Sequence, residues 1–195
     1  MKRTVLLLLA VMVLSGCFIH KHRDEFYDSD LAWKMKIPAT FVDVNEHKWK
    51  KVQQRGRHAI EDTYNTSLPN KVNTLFIFKG GDGNFFEATS ELYNYEKNGD
   101  YAACIQRTYD MVYHSLLTQR PDVHADTTKR TEQIAGLDFY CIEIKVTYPN
   151  RTTTHSVIYS RLFDTQNLTV SIMYADEAKG KLMREAFRGS RFGRR

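Results

Sequence analysis

The sequence predicts an α+β domain: an antiparallel sheet with a long central helix and a C-terminal helix packed on it. Three observations carry this. Two aromatic-rich runs flank Gly80-Gly81-Asp82-Gly83, apolar residues recur at helical spacing from Tyr101 to Leu116, and four strand-like runs with hairpin-length connections follow Pro121.

In chain order, Trp33-Lys34-Met35-Lys36-Ile37 alternates apolar and polar residues and stops at Pro38, which marks a first strand that Ala39 to Val44 extends. Residues 45–70 are polar and irregular and read as surface loop. Val72 to Lys79 and Asn84 to Tyr95 form a hairpin, whose glycines supply the positive φ that a tight turn needs. A glycine-rich loop cradles phosphate only when a helix begins directly after it, and here a strand follows, so the turn is the reading adopted.

The central helix starts from the polar Asn98 to Asp100 and stops before Pro121, with Tyr101, Ile105, Thr108, Tyr109, Val112 and Leu116 on one face. Strands follow at 131–136, 137–149, 154–163 and 167–175, with a turn at Asp164 to Asn167 between the last two. In the second of these, Tyr140, Ile142, Ile144 and Val146 make an apolar face. Phe139, Cys141, Glu143 and Lys145 make a partly covered one. Asp176 is an N-cap for a last helix whose apolar face is Ala178, Leu182, Met183, Ala186 and Phe187.

Of the 195 residues, 42% are hydrophobic and 26% charged, the composition of an ordinary globular chain. Removing the first 16 leaves 179, enough to bury a single core without metal or disulfide support. Without Lys2 and Arg3 the 28 basic residues fall to 26 against 23 acidic, a net charge of +3 that argues against a nucleic-acid partner. The excess is concentrated at the end: Lys179, Lys181, Arg184, Arg188, Arg191, Arg194 and Arg195 stand against Glu185 alone. Cations there complement the C-terminal end of the last helix.

The N-terminus has the three-part layout of an export signal: Lys2 and Arg3, an apolar stretch from Val5 to Leu14, then the small residues Ser15 and Gly16. The stretch is shorter than the roughly 20 apolar residues that span a bilayer. Leu14-Ser15-Gly16-Cys17 resembles the lipobox of bacterial lipoproteins. That resemblance implies cleavage before Cys17, a thioether-linked diacylglycerol on its sulfur and an acylated amine, so that the acyl chains hold the protein stably at a membrane. Phe18, where inner-membrane lipoproteins of enteric-type bacteria carry Asp, implies the outer membrane.

Residues 17–32 then read as the lipidated cysteine and a tether, 33–192 as one domain and 193–195 as a basic tail. His20, His22, Asp24 and Glu25 within the tether are metal-ligating types but lack the rigid support a site needs, so no metal and no cofactor is assigned. In a bacterial host the sequons at Asn65, Asn150 and Asn167 are chance matches.

The layout of the domain also resembles the Mog1/PsbP-like α/β/α sandwich. Early strands, a long central helix, the meander ending in Ser160-Arg161-Leu162-Phe163 and Asn167 to Tyr174, and the short last helix finishing in Phe187-Arg188-Gly189-Ser190-Arg191-Phe192 carry the likeness. That family implies a small accessory or partner-binding domain without catalysis.

The chain contains no nucleophile elbow, no His-Glu-x-x-His and no Cys-x-x-Cys. His47, His58, His114, His124 and His155 are scattered, and Glu87 and Glu91 read as solvated charge. Phe76, Phe78, Phe85, Phe86, Tyr93 and Tyr95 are a sugar-stacking platform or, on the preferred reading, core. Cys104 and Cys141 form either a disulfide, worth up to roughly 4 kcal/mol, or two buried thiols.

The expected function is therefore that of a lipid-anchored envelope protein whose domain binds a protein partner. Two alternatives remain: an inhibitor or immunity lipoprotein presenting the loop at 45–70, and a hydrolase whose dispersed histidines and carboxylates converge in a cleft.

Overall fold

The computed structural model describes residues 23–65 and 72–193. Cys17, the lipobox, His20 and His22 lie outside the described residues, as do Arg194 and Arg195.

Short alternating segments build the first layer. β1 (Glu25–Asp28) pairs antiparallel with β2 (Trp33–Lys36), placing Phe26 and Met35 in the core. Residues 23–32, expected as tether, thus belong to the domain from β1 onward. Leu31 is also buried, its amide donating to Asp28 Oδ1 at 2.8 Å. β3 (Val42–Asp43) does not extend β2 as the sequence predicts; it pairs with the next strand in a different sheet, because Pro38 and the following turn redirect the chain.

The tract read as loop is a helix. α1 (Glu46–Tyr64) has no continuous apolar stripe, and it lies over the sheet through Trp49, whose indole packs on Phe85 at 4.9 Å. The predicted hairpin follows as β4 (Asn73–Lys79) and β5 (Phe85–Leu92), turned through Gly81 and Gly83 at φ 99° and 73°. A single turn, α2 (Tyr95–Asn98), leads to α3 (Tyr101–Gln119), N-capped by Asp100, whose carboxylate accepts from the Ala103 amide.

The meander comprises β6 (His124–Ile134), β7 (Leu137–Thr147), β8 (Thr153–Phe163) and β9 (Gln166–Tyr174). β6 begins seven residues before the predicted strand, since its first half, His124 to Lys129, has Ala125 as its one apolar residue and carries little apolar signal. Asp176 caps α4 (Glu177–Arg188) as predicted, and β10 (Arg191–Phe192) follows it.

The seven-stranded sheet runs β3-β4-β5-β9-β8-β7-β6, with every neighbouring pair antiparallel. The alternation of side chains sorts its faces. Phe76, Phe86, Phe139, Cys141, Tyr159, Val170 and Ile172 point to one side, where α4 and the small sheet β1-β2-β10 close a core with Trp33, Met183 and Phe187. Ile142, Ile144 and Val146 point to the other, where Ile105 and Tyr109 of α3 pack on them.

The face expected to be partly covered is therefore covered. Cys141 is buried in it, and burial pushes its thiol up to about 12. Cys104 rides on α3, on the other side of the sheet, and both cysteines are free thiols.

Candidate functional site

At the end of the sheet where β5 finishes and β6 turns into β7, the strands β7 and β8 separate. Their ladder stops at the Tyr140 and Ser160 pair, and a cleft of about 300 Å³ opens beyond it. Tyr101, Thr131, Asp138, Tyr140, Arg161 and Leu162 line it.

Arg161 bridges the gap. Its Nη1 donates to the Asp138 carbonyl at 2.6 Å, and its guanidinium stands over the rings of Phe139 and Phe163. Its Nε is buried with no hydrogen-bond partner among the described residues.

A row of tyrosine rings connects this cleft to the surface. Tyr140 meets Tyr101 at 5.9 Å, Tyr101 meets Tyr93 at 5.2 Å, and Tyr93 meets Tyr95 at 5.0 Å, each edge to face. The Tyr101 hydroxyl donates to Asn167 Oδ1 at 2.8 Å, and Asn167 in turn donates to Glu91. Burial holds the Tyr101 phenol far above the ordinary value, so it serves as a donor and not as an acid. The row ends in the open: Tyr95 is 54% exposed and Leu92, three residues earlier, 81%.

Such an arrangement offers aromatic faces and hydrogen-bonding groups to a ligand. The lining residues include no thiol or serine and no histidine. Elsewhere the histidines stay apart: His58 faces Glu61, His124 faces Asp126, and His114 lies beside Tyr113. The His47 side chain lies outside the described residues. His155 stacks on Tyr174 at 4.7 Å, with Glu177 at 3.1 Å and Glu143 at 3.7 Å. These carboxylates belong to an ion network that fastens α4 to the sheet: Glu132 is held by Arg130 and Arg188, and Glu143 by Arg130 and Arg184. Among the described residues no group of three or more His, Cys, Asp and Glu side chains is arranged to hold a metal ion. Among the described histidines only His155 meets two carboxylates, and these sit in the network that fastens α4 and do not line the cleft; the segment offered as the inhibitor's loop is the helix α1 over 46–64.

The sequence reading separates poorly what the structure separates well among the aromatics. Phe76, Phe78 and Phe86 are core, Phe85 lies under Trp49, and Tyr93 and Tyr95 stand at the far end of β5, so the six make no single platform. Arg161, Tyr101 and Tyr140 escape sequence reading as a site, since they meet only when β8, α3 and β7 are assembled. Ser160-Arg161 within an apolar strand was the one local signal.

No known protein family matches the sequence, and no curated protein is similar to it. Among solved structures, cyanobacterial PsbP (CyanoP) from Synechocystis sp. PCC 6803 superposes with a TM-score of 0.54, over 87% of this chain and 91% of that one, at 9% identity. The fold is PsbP-like. The sandwich expected from the layout is therefore present.

Proposed function

We propose that this protein is a lipid-anchored component of a bacterial cell envelope, held at the outer membrane through Cys17, and that its PsbP-like domain binds a protein partner without turnover. The observation that carries the binding role is the exposure of Leu92 and Tyr95 at the outer end of the tyrosine row that starts in the cleft. Exposed aromatic and apolar side chains beside a cleft are the usual anchors of protein recognition. The lipobox, Leu14 to Cys17, supports the tether. No helix of the described residues is long and apolar enough to cross a membrane. Attachment confines the domain to two dimensions and raises its effective concentration near other membrane components.

Two measurements test this reading on the full chain expressed in a bacterial host. Intact mass and membrane fractionation, with Cys17→Ala alongside, test the tether: the wild type begins at an acylated Cys17 and sediments with membranes, while the variant does neither. A soluble, unacylated wild type refutes it. A photocrosslinking residue at Leu92, compared with one at Asn150 at the opposite end of the sheet, tests the site. A discrete adduct at Leu92 that disappears with Tyr95→Ala supports it, and identical adducts at both positions refute it.

A further inference from the structure

β6 is the outermost strand of the large sheet. It pairs with β7 along all 11 residues without a register shift, contains no proline, and has no described strand on its other side. An edge of this length presents a row of backbone groups that natural proteins ordinarily guard with outward charges, bulges or a covering segment. The two cations at its middle do not guard it. Lys129 Nζ reaches Asp110 on α3 at 2.5 Å, and Arg130 reaches Glu132 at 3.1 Å and Glu143 at 3.4 Å, so both fold back onto their own domain.

We propose that β6 pairs antiparallel with β6 of a second copy of this chain, about a two-fold axis at Thr128, joining two seven-stranded sheets into one. An interface of this type is self-complementary, so residue i faces j in both directions. Along an edge, residues alternate between those whose amide and carbonyl point into the sheet and those whose groups point out. Self-pairing therefore requires a register centred on a residue. Centring on Lys129 or Arg130 places that cation opposite itself, and centring on Thr127 places Arg130 opposite His124. Registers centred nearer either end pair fewer residues.

Centring on Thr128 leaves no like charges opposite one another. Thr128 faces Thr128, Lys129 faces Thr127, Arg130 faces Asp126 and Glu132 faces His124, the last three pairs each occurring twice. Asp126 lies 3.2 Å from His124 of its own strand, and its side chain, 65% exposed, is open to a second partner from solvent. Arg130 uses three of its five N–H groups inside the domain, which leaves two for the facing carboxylate. The central Thr127 and Thr128 are exposed and β-branched, suited to a cross-strand contact. At one end the Tyr113 hydroxyl donates to the Ala125 carbonyl at 3.1 Å, whose second lone pair remains free for the ladder.

Sedimentation of the full-length protein in non-ionic detergent, over a concentration series, tests the proposal. A monomer–dimer equilibrium that weakens with salt is expected, and Asp126→Arg, which sets arginines opposite one another twice, weakens it about tenfold. Register is read by cysteine pairing. Directly opposed residues lie about 4.5–5.5 Å apart at Cα, within disulfide reach, so mild oxidation of Thr128→Cys yields a covalent dimer above the wild-type level. The two copies of position 133 stand roughly 33 Å apart in this register, so Gln133→Cys does not. Far-UV circular dichroism confirms that these exposed substitutions leave the fold intact. A chain that stays monomeric at every concentration overturns the proposal and leaves the edge for a strand of another protein. A dimer indifferent to Asp126→Arg, or equal crosslinking at positions 128 and 133, overturns it as well.

Discussion

Glu87 sits on the helix-covered face of β5, where it accepts hydrogen bonds from Trp49 Nε1 at 2.8 Å and Gln53 Nε2 at 2.5 Å. The sequence predicts solvated charge there, but α1 covers it. Burial raises its pKa above 4.5, outweighing the two hydrogen bonds that act in the other direction. The folded state therefore binds this proton more tightly than the unfolded state. The stabilisation is complete below the unfolded value near 4.5 and is lost as pH rises through the raised folded value. Glu87→Gln keeps the acceptor and removes the buried charge. Thermal melts should show the variant more stable than wild type at pH 8, with the difference gone by about pH 4. Glu132 has the opposite sign. Burial pushes its carboxyl up, but Arg188 and Arg130 more than offset this and hold it below 4.5. Its contribution is present above the unfolded value and is lost as pH falls through the folded one. Glu132→Gln should cost about 1 kcal/mol at neutral pH, less in high salt, and nothing in acid.

At the scale of elements, two glycines on helices separate propensity from packing. A Cβ on Gly56 of α1 meets nothing within 4 Å, so Gly56→Ala should stabilise by about 1 kcal/mol through helix propensity alone. A Cβ on Gly180 of α4 lies 2.5 Å from the Tyr174 ring, which is flanked by the His155 ring and by Arg184 and cannot swing aside. There the same substitution should destabilise by about 1–3 kcal/mol, and the two melts should shift in opposite directions. Legibility in the sequence divides along the same line. The hairpin, α3, the meander and α4 were readable because apolar periodicity reports the face that each buries. α1 was not, because Trp49, Val52, Ala59 and Ile60 are few among charged and polar residues and part of its seating is polar, through Trp49 and Gln53 on Glu87. β1 was lost for a related reason: four residues with one buried phenylalanine resemble a linker until Trp33 and Phe76 stand beside it. Of the candidate site, only Tyr93 and Tyr95, just beyond β5, were singled out, as a stacking platform or, on the preferred reading, as core. The cleft depends on strands separating, which no local pattern records.

The whole molecule is closed by its two described ends meeting over one core. Trp33, fully buried, stacks on Phe192 at 5.5 Å and donates its indole N–H to Ser190 Oγ at 2.9 Å. The Gly193 amide donates to the Ala32 carbonyl at 2.8 Å, and β10 adds to the edge of β2. Phe163 and Phe139 touch the same Phe192 ring, so β10 joins the small sheet to the large one. This closure spans nearly the whole described chain, and its formation waits on the rest of the fold. Removing residues 190–195 takes away the phenylalanine, the two-residue ladder and the acceptor of a buried indole N–H, which together are worth about 4 kcal/mol. For a domain of this size that lowers the melting temperature by about 10 °C. Ser190→Ala, which orphans only the indole N–H, should account for about 1–2 kcal/mol of it. A truncated chain that melts with the full-length protein would mean that Trp33 is buried sufficiently by α4 and β1 alone, and that β10 is an attachment to the fold instead of its clasp.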